Sequence, residues 1–222
     1  MGSVARLGVV KGLRWYRMDK VFSRFLEKFG GAIDQREVPI SSIERYRGKL
    51  PNQLLEYWAE HGWCGYGDGI FWIVNPQKYE GMVASWIEGT VFEERDTYHL
   101  IARGAFGNLY LWGEKTGASL RITSVLSRYI TFKSIFTGED MDKGLRCFLL
   151  SCEVDANDYG DLFKPAKKKL GTLHHDEMYG FVPALMFGGP DTLDHLEKVK
   201  AVEHLTLLSQ IAELQPYSFS DL

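Results

Sequence analysis

Four strand-like runs follow one another between residues 98 and 132, and they restrict the fold more than any other part of the sequence. The runs read YHLIAR, NLYLWG, SLRIT and SRYITF, and short turns containing Gly104, Gly107 and Gly117 separate the first three. Strands joined by such short turns pair with their neighbours in antiparallel order. The sequence therefore predicts an antiparallel meander at the centre of the fold.

Helical patterns precede this meander. The segment MDKVFSRFLEKFGG has apolar residues at helical spacing and a stop at Gly30. The segment SSIERYRG begins with a Ser–x–x–Glu capping box at Ser41 and Glu44, which predicts a short helix. A third helix is predicted between Pro51 and Gly62, with one apolar stripe. QKYEGMVASWI is also helical in its spacing.

The second half of the chain alternates helical and strand-like segments. EDMDKGLRCFLLSC is a predicted helix, and YGDLFKPAKKKLG is a predicted helix or helix pair. YGFVPALMFGG is strand-like, with Pro183 at an edge or a bulge. One amphipathic helix is predicted across HLEKVKAVEHLTLLSQIAEL, with Val199 at the start of its apolar face. Together these elements predict an α+β fold: a mostly antiparallel sheet with packed helices, in two closely associated subdomains.

Length and composition exclude several classes of protein. The 222 residues are 45% hydrophobic, which is enough for a core without disulfide bonds. Cys64, Cys147 and Cys152 are too few for a disulfide framework and fit a reducing compartment. No run is long enough for a membrane span or a secretory signal, so we predict a cytoplasmic protein with no membrane partner. We interpret residues 1–17 as an N-terminal extension.

Charge is distributed unevenly along the chain. Residues 1–50 contain 11 Lys and Arg against 5 Asp and Glu, whereas residues 51–100 contain 2 against 8. The acidic part is concentrated at Glu88, Glu93, Glu94 and Asp96. Such a stretch is either a solvated face or an interaction surface for a basic partner.

The segment HGWCGYGDGIFW raises the question of a Cys–His active site. His61 and Cys64 stand three residues apart, but a cysteine nucleophile needs a base within hydrogen-bond reach and a group that orients it. We interpret the segment as a turn from a helix into the buried strand IFWIV, with Cys64 as a packing residue. The stretch GYGDG is too rich in glycine for a helix or a packed strand.

Other candidate sites are weak on spacing alone. The adjacent His174 and His175 of LHHDEMYG point in different directions in either a helix or a strand, unlike a zinc-binding pair. The calcium-loop pattern begun by DANDYGD fails at its twelfth position, Ala166. Cys147 and Cys152 have no second cysteine pair. We therefore expect no catalytic, cofactor or metal site.

The sequence resembles a known pair of domains. The stretches VPISSIERYRGKLPNQLLEYWAEHGWCGYGDGIFWIVNP and HLIARGAFGNLYLWGEKTG resemble a GAD-like domain. The segments GLRCFLLSC, LGTLHHDEMYGFVPALMFGGP and VKAVEHLTLLSQI resemble the domain that commonly follows it in immunity proteins against DNase effectors of type VI secretion systems. On this resemblance we assign the GAD-like domain to residues 18–123, the C-terminal immunity-type domain to 124–216 and a tail to 217–222.

The resemblance implies an inhibitor without enzymatic activity that binds a cognate effector toxin, expected to be a nuclease, and no nucleic acid directly. Its shared residues build the fold and include no known catalytic group. We predict that the toxin contacts acidic residues, namely Glu88, Glu93, Glu94, Asp96, Asp155, Asp158 and Asp161. Three alternatives stay open: an immunity protein of the SUKH class against another toxin, a nucleic-acid-binding module, and a cysteine hydrolase that uses Cys64 and His61.

Overall fold

A central sheet of eight strands organises the chain in a computed structural model that describes residues 19–218. The predicted extension at residues 1–17 and the last four residues lie outside the described residues. Seven of the strands run β1 (Ile33–Arg36), β2 (Trp63–Tyr66), β3 (Phe71–Ile73), β4 (Tyr98–Gly104), β5 (Asn108–Gly113), β6 (Gly117–Thr123) and β7 (Arg128–Thr131). They pair in sequence order and all antiparallel, which confirms the predicted meander.

Three further strands come from the C-terminal part of the chain. β8 (Glu177–Phe181) and β9 (Leu196–Lys200) form a separate antiparallel pair. β10 (Gln215–Pro216) joins the central sheet parallel to β7 and forms its edge. The last described strand therefore pairs with the sheet that the N-terminal half of the chain forms.

Helices cover both faces of the central sheet. Their bounds are α1 (Lys20–Phe29), α2 (Ile40–Tyr46), α3 (Asn52–His61), α4 (Glu80–Ile87), α5 (Val91–Arg95), α6 (Met141–Ser151), α7 (Phe163–Leu170) and α8 (Ala201–Ile211). This arrangement confirms the predicted α+β class with a mostly antiparallel sheet.

Side chains along a strand alternate between the two faces of the sheet, so the strand residues that a helix contacts show which face it covers. Tyr110 of β5 pairs with Arg121 of β6, and its ring lies 5.5 Å from both Phe71 and Phe148. α6, which carries Phe148, therefore packs on this face, and α1 and α3 contact α6 there. On the other face, Tyr129 of β7 lies 4.8 Å from Phe92 of α5. α4 and α8 pack against each other on that second side.

The C-terminal part packs around the sheet rather than beside it. α6 lies on the first face, α8 contacts α4 on the second, and β10 lies at the edge. Buried apolar residues from both halves of the chain belong to one contiguous cluster. The two halves therefore share one hydrophobic core.

The ends of α1 and α3 agree with the sequence predictions, but the start of α2 does not. α2 forms, but Pro39 is its N-cap and Ser41 lies inside the helix, so the predicted capping box is wrong. The Ser42 hydroxyl donates to Gln77 at 2.7 Å instead, and Glu44 pairs with Arg47. α1 and α3 end at Gly30 and Gly62, as their sequences predict.

Three further predictions need correction, one of a helix, one of a strand and one of a turn. Val199 lies on β9 opposite Met178, so the helix predicted across this segment begins only at Ala201, because pairing with β8 overrides the helical spacing. β8 ends before Pro183, and a short 3-10 turn at Leu185–Phe187 replaces the rest of the predicted strand. Gly65, in the glycine-rich stretch that we predicted to be too rich in glycine for a packed strand, belongs to the buried strand β2. Glycine is needed there because a Cβ would collide with the Trp72 ring.

Candidate interaction surface

The turn that carries His61 and Cys64 does not assemble a Cys–His pair. Cys64 Sγ is fully buried and lies 3.0 Å from the Tyr66 hydroxyl oxygen and 3.6 Å from the backbone carbonyl oxygen of His61. The His61 ring instead stacks on Phe22 at 4.4 Å between centroids. Burial raises the pKa of the Cys64 thiol and lowers the pKa of His61. A protonated thiol beside a carbonyl is a poor nucleophile, so the geometry favours a packing role for Cys64.

The acidic stretch before β4 is displayed by a capped helix. The Thr90 hydroxyl accepts from the Phe92 backbone N–H at 3.2 Å, and Glu93 reaches back to accept from the Gly89 N–H at 2.8 Å. The Thr–x–x–Glu sequence is that of a capping box, although Glu93 bonds to the N–H group one residue before the N-cap Thr90; the charge pattern alone does not reveal this signal. Glu88, Glu93 and Glu94 are all exposed around this helix.

A cleft of about 890 Å³ lies next to this helix on the same face of the sheet. Its walls come from α4, α5, β7 and the segment from the end of α8 to β10, and its aromatic lining consists of Trp86, Phe92 and Tyr129. The charged residues that line it are Glu88 and Glu213, both acidic. Glu213 is more than a hundred residues from Glu88 in the chain, so no sequence spacing links them. Trp86 and Phe92 are only 3% and 1% exposed, so Tyr129 is the aromatic ring of this lining that a partner can reach, beside the negative charge.

Asp96 belongs to the interior and not to this surface. It is only 7% exposed, and its carboxylate accepts from the backbone N–H groups of Thr97, Lys115 and Thr116 and from the Thr116 hydroxyl, at 2.7 to 3.1 Å. These bonds organise the turn between β5 and β6. We therefore correct the sequence prediction and leave Asp96 out of the candidate surface.

Replacement of Asp96 by asparagine should lower the free energy of unfolding by about 2 kcal/mol. The amide nitrogen would face N–H donors that now bond to a carboxylate oxygen, and the charge that strengthens those bonds would be lost. Chemical denaturation of the variant measures the effect, with the exposed Glu94→Gln as the control. A change equal to that of the control would contradict the structural role of Asp96.

The second predicted acidic group lies elsewhere. Asp155 and Asp161 are exposed, and Asp158 accepts from the Phe163 N–H at 2.8 Å at the start of α7. The neighbouring Asn157 bonds to Tyr110, close to Gly104 at the end of β4, whereas Glu88 and Glu94 lie before its start. A seven-residue strand is about 20 Å long. The structure therefore does not bring the two acidic groups into one patch.

The described residues contain neither a grouping of metal ligands nor a membrane-spanning helix. Within residues 19–218, no three His, Cys, Asp or Glu side chains are grouped so that they could hold a metal ion. Among the same residues, no helix is long and apolar enough to cross a membrane.

Two family models match the chain, one on each side of the cleft. A model of the GAD-like domain matches residues 20–126, and a model described as T6SS immunity protein Tdi1, C-terminal, matches residues 142–212. The chain thus carries a GAD-like domain followed by a Tdi1-type C-terminal domain. This confirms the resemblance read from the sequence and supports a function in type VI secretion immunity.

A solved structure shares this fold. The crystal structure of Atu4351 from Agrobacterium tumefaciens matches with a TM-score of 0.79 and 23% identity, over 90% of this chain and 93% of that chain. No curated protein matches the sequence significantly. The GAD-like domain supplies strands β1 to β6 of the sheet and the acidic helix α5, and the Tdi1-type domain supplies α8. The cleft therefore lies where the two domains meet.

Proposed function

We propose that this protein is a cytoplasmic immunity protein that binds a cognate nuclease effector of a type VI secretion system and occludes its active site or DNA-binding surface. The immunity assignment has the support of the C-terminal domain match. The observation that supports a nuclease target is the acidic cleft, because surfaces that bind DNA are basic.

The cleft has the chemistry to receive arginine or lysine side chains from such a surface. Glu88 and Glu213 offer exposed carboxylates, and the partly exposed Tyr129 offers an aromatic ring for the apolar stem and the charge of the cation. Exposed carboxylates around the rim, Glu93 and Glu94, accelerate encounter with a basic partner. The same negative charge disfavours direct binding of nucleic acid, which speaks against the nucleic-acid alternative.

Inhibition of this kind requires a tight, stoichiometric complex. Nanomolar affinity corresponds to about −12 kcal/mol, and a stable interface buries about 1,600 Å² or more. The direct test is a DNA-cleavage assay on the product of the adjacent effector gene, with increasing amounts of this protein. We expect activity to fall to zero near one equivalent. Undiminished cleavage and no complex would overturn the proposed function.

Charge reversal at the cleft should slow association. We expect the double variant Glu88→Lys/Glu94→Lys to bind the effector nuclease about tenfold more slowly or worse at low salt, with the difference shrinking at high salt. Stopped-flow or surface-based kinetics measures the association rates of the variant and of the wild type at each salt concentration. Glu93 is left unchanged because it caps α5.

The second acidic group supplies a matched control for that experiment. Asp155→Lys/Asp161→Lys makes the same change in net charge at a distant, exposed position. We expect it to leave the association rate close to that of the wild type. Equal slowing by both variants would show only a net-charge effect and would remove the cleft from the binding site.

A further inference from the structure

A second cavity lies on the opposite face of the sheet from the acidic cleft. It has a volume of about 290 Å³ and lies between β5, β6, α6 and residues 132–136, which follow β7. Most of its lining is apolar, including Tyr110, Phe132 and Phe148. The charged side chains that line it are Arg121 and Lys133, and none of its lining residues is acidic.

Arg121 has no anionic partner within the described residues. Its guanidinium lies 4.7 Å from the centroid of the Tyr110 ring and 5.5 Å from that of Phe132. Its Nε is buried and has no hydrogen-bond partner within residues 19–218. A half-buried guanidinium between aromatic rings favours a carboxylate, which it binds in bidentate fashion.

The rim of this cavity is an exposed apolar surface. Ile130 lies opposite Arg121 on the neighbouring strand, and Phe132 lies two residues further along on the same face. Ile130 and Phe132 are both exposed. Ile135, on the segment above the cavity, is 76% exposed. Large apolar side chains grouped around a surface pocket are typical of a site that binds a protein partner. The rim extends beyond the cavity, so a small molecule would leave part of it uncovered.

We propose that this cavity, the Arg121 pocket, receives an apolar side chain of the effector whose neighbouring Asp or Glu carboxylate pairs with Arg121 and Lys133. The inference rests on the proposed function, since it needs the effector complex. β7 borders both binding surfaces: Tyr129 lines the acidic cleft and the next residues lead into the Arg121 pocket. An effector that covers the β7 side of the sheet would place a basic surface against the acidic cleft on one face and an acidic, apolar segment in the Arg121 pocket on the other.

A cysteine at the mouth of the pocket reports on its occupancy. Cys147 lines the pocket and is exposed, whereas Cys64 and Cys152 are buried. We expect a maleimide to label Cys147 readily in the free protein and about tenfold more slowly in the complex with the product of the adjacent effector gene. Equal labelling rates in free and bound protein would overturn the pocket while the complex itself stands. Protection in the free protein that grows with its concentration would assign the pocket to a second copy and also overturn the inference.

Substitutions at the rim test the charge of the occupant. Ile135→Glu should raise the Kd for the effector about tenfold, because it places a carboxylate beside the incoming one, whereas Ile135→Lys should change the Kd far less. Ile40→Glu is the matched control, since Ile40 is 77% exposed and lies on α2, away from the pocket. Equal losses for both Ile135 variants would overturn the acidic occupant. Wild-type binding by both would overturn the pocket, and absence of any complex would overturn the proposed function with it.

Discussion

Replacement of Arg103 by alanine is expected to lower the free energy of unfolding by about 4 kcal/mol. Arg103 is fully buried on β4. Its Nε donates to the Tyr79 hydroxyl at 3.1 Å, and its Nη2 donates to the carbonyl oxygens of His175 and Glu177 at 2.9 and 2.8 Å. Alanine would leave three buried acceptors without this donor and would open a cavity beside Trp72, over whose ring the guanidinium lies at 5.4 Å.

Urea denaturation of Arg103→Ala measures this loss. Arg95→Ala is the control, because Arg95 is exposed at the end of α5 and its removal should change stability by less than about 0.5 kcal/mol. Arg103→Lys should fall between the two, since lysine keeps the charge but cannot reach all three acceptors in one plane. A loss for Arg103→Ala no larger than that of the control would show that these hydrogen bonds contribute little.

Arg103 also explains how the two domains hold one arrangement. His175 and Glu177 belong to the Tdi1-type domain, whereas Arg103 and Tyr79 belong to the GAD-like domain. The Tyr179 N–H of β8 adds a backbone bond to the Ala105 carbonyl at 2.9 Å, close to Arg103 in the chain. Because the acidic cleft is built from both domains, its shape depends on contacts such as these. The stability of the interface between the domains is therefore linked to the proposed binding function.

Local signals made much of the fold predictable from the sequence. The meander from β4 to β7 follows from strand-like runs with short turns, and the ends of α1 and α3 follow from glycine. The resemblance to a GAD-like domain rested on the same local blocks. The segment of β9 has helical spacing but pairs with β8, so the sequence pattern alone predicted a longer helix where the structure has a strand.

The candidate surface was less predictable, because burial depends on partners that are distant in sequence. Glu94 and Asp96 stand two residues apart with similar chemistry, yet Glu94 is exposed and Asp96 is bonded to the turn after β5. Glu213 joins Glu88 in the cleft only because α8 packs against α4. The pairing of Arg121 with Tyr110 and Phe132 likewise depends on strand register, which the sequence does not state.

Replacement of Gly62 by alanine is expected to cost about 4 kcal/mol of stability, the second large effect. Gly62 ends α3 at φ 74° and ψ −170°, a backbone conformation that only glycine adopts readily. A Cβ at this position would also overlap the Arg36 carbonyl oxygen of β1. The turn after α3 therefore requires glycine at residue 62 so that β1 can pack over the end of this helix.

Gly30 separates these two contributions. It ends α1 at φ 81° and ψ −171°, nearly the same conformation, but a Cβ there would meet no atom within 4 Å. Gly30→Ala should therefore cost only the backbone strain, about 2 kcal/mol, and the additional loss in Gly62→Ala measures the close approach of β1. Equal losses in the two variants, measured by urea denaturation, would show that β1 moves aside at little cost. In that case the close packing of β1 on this turn would not be what makes glycine necessary at residue 62.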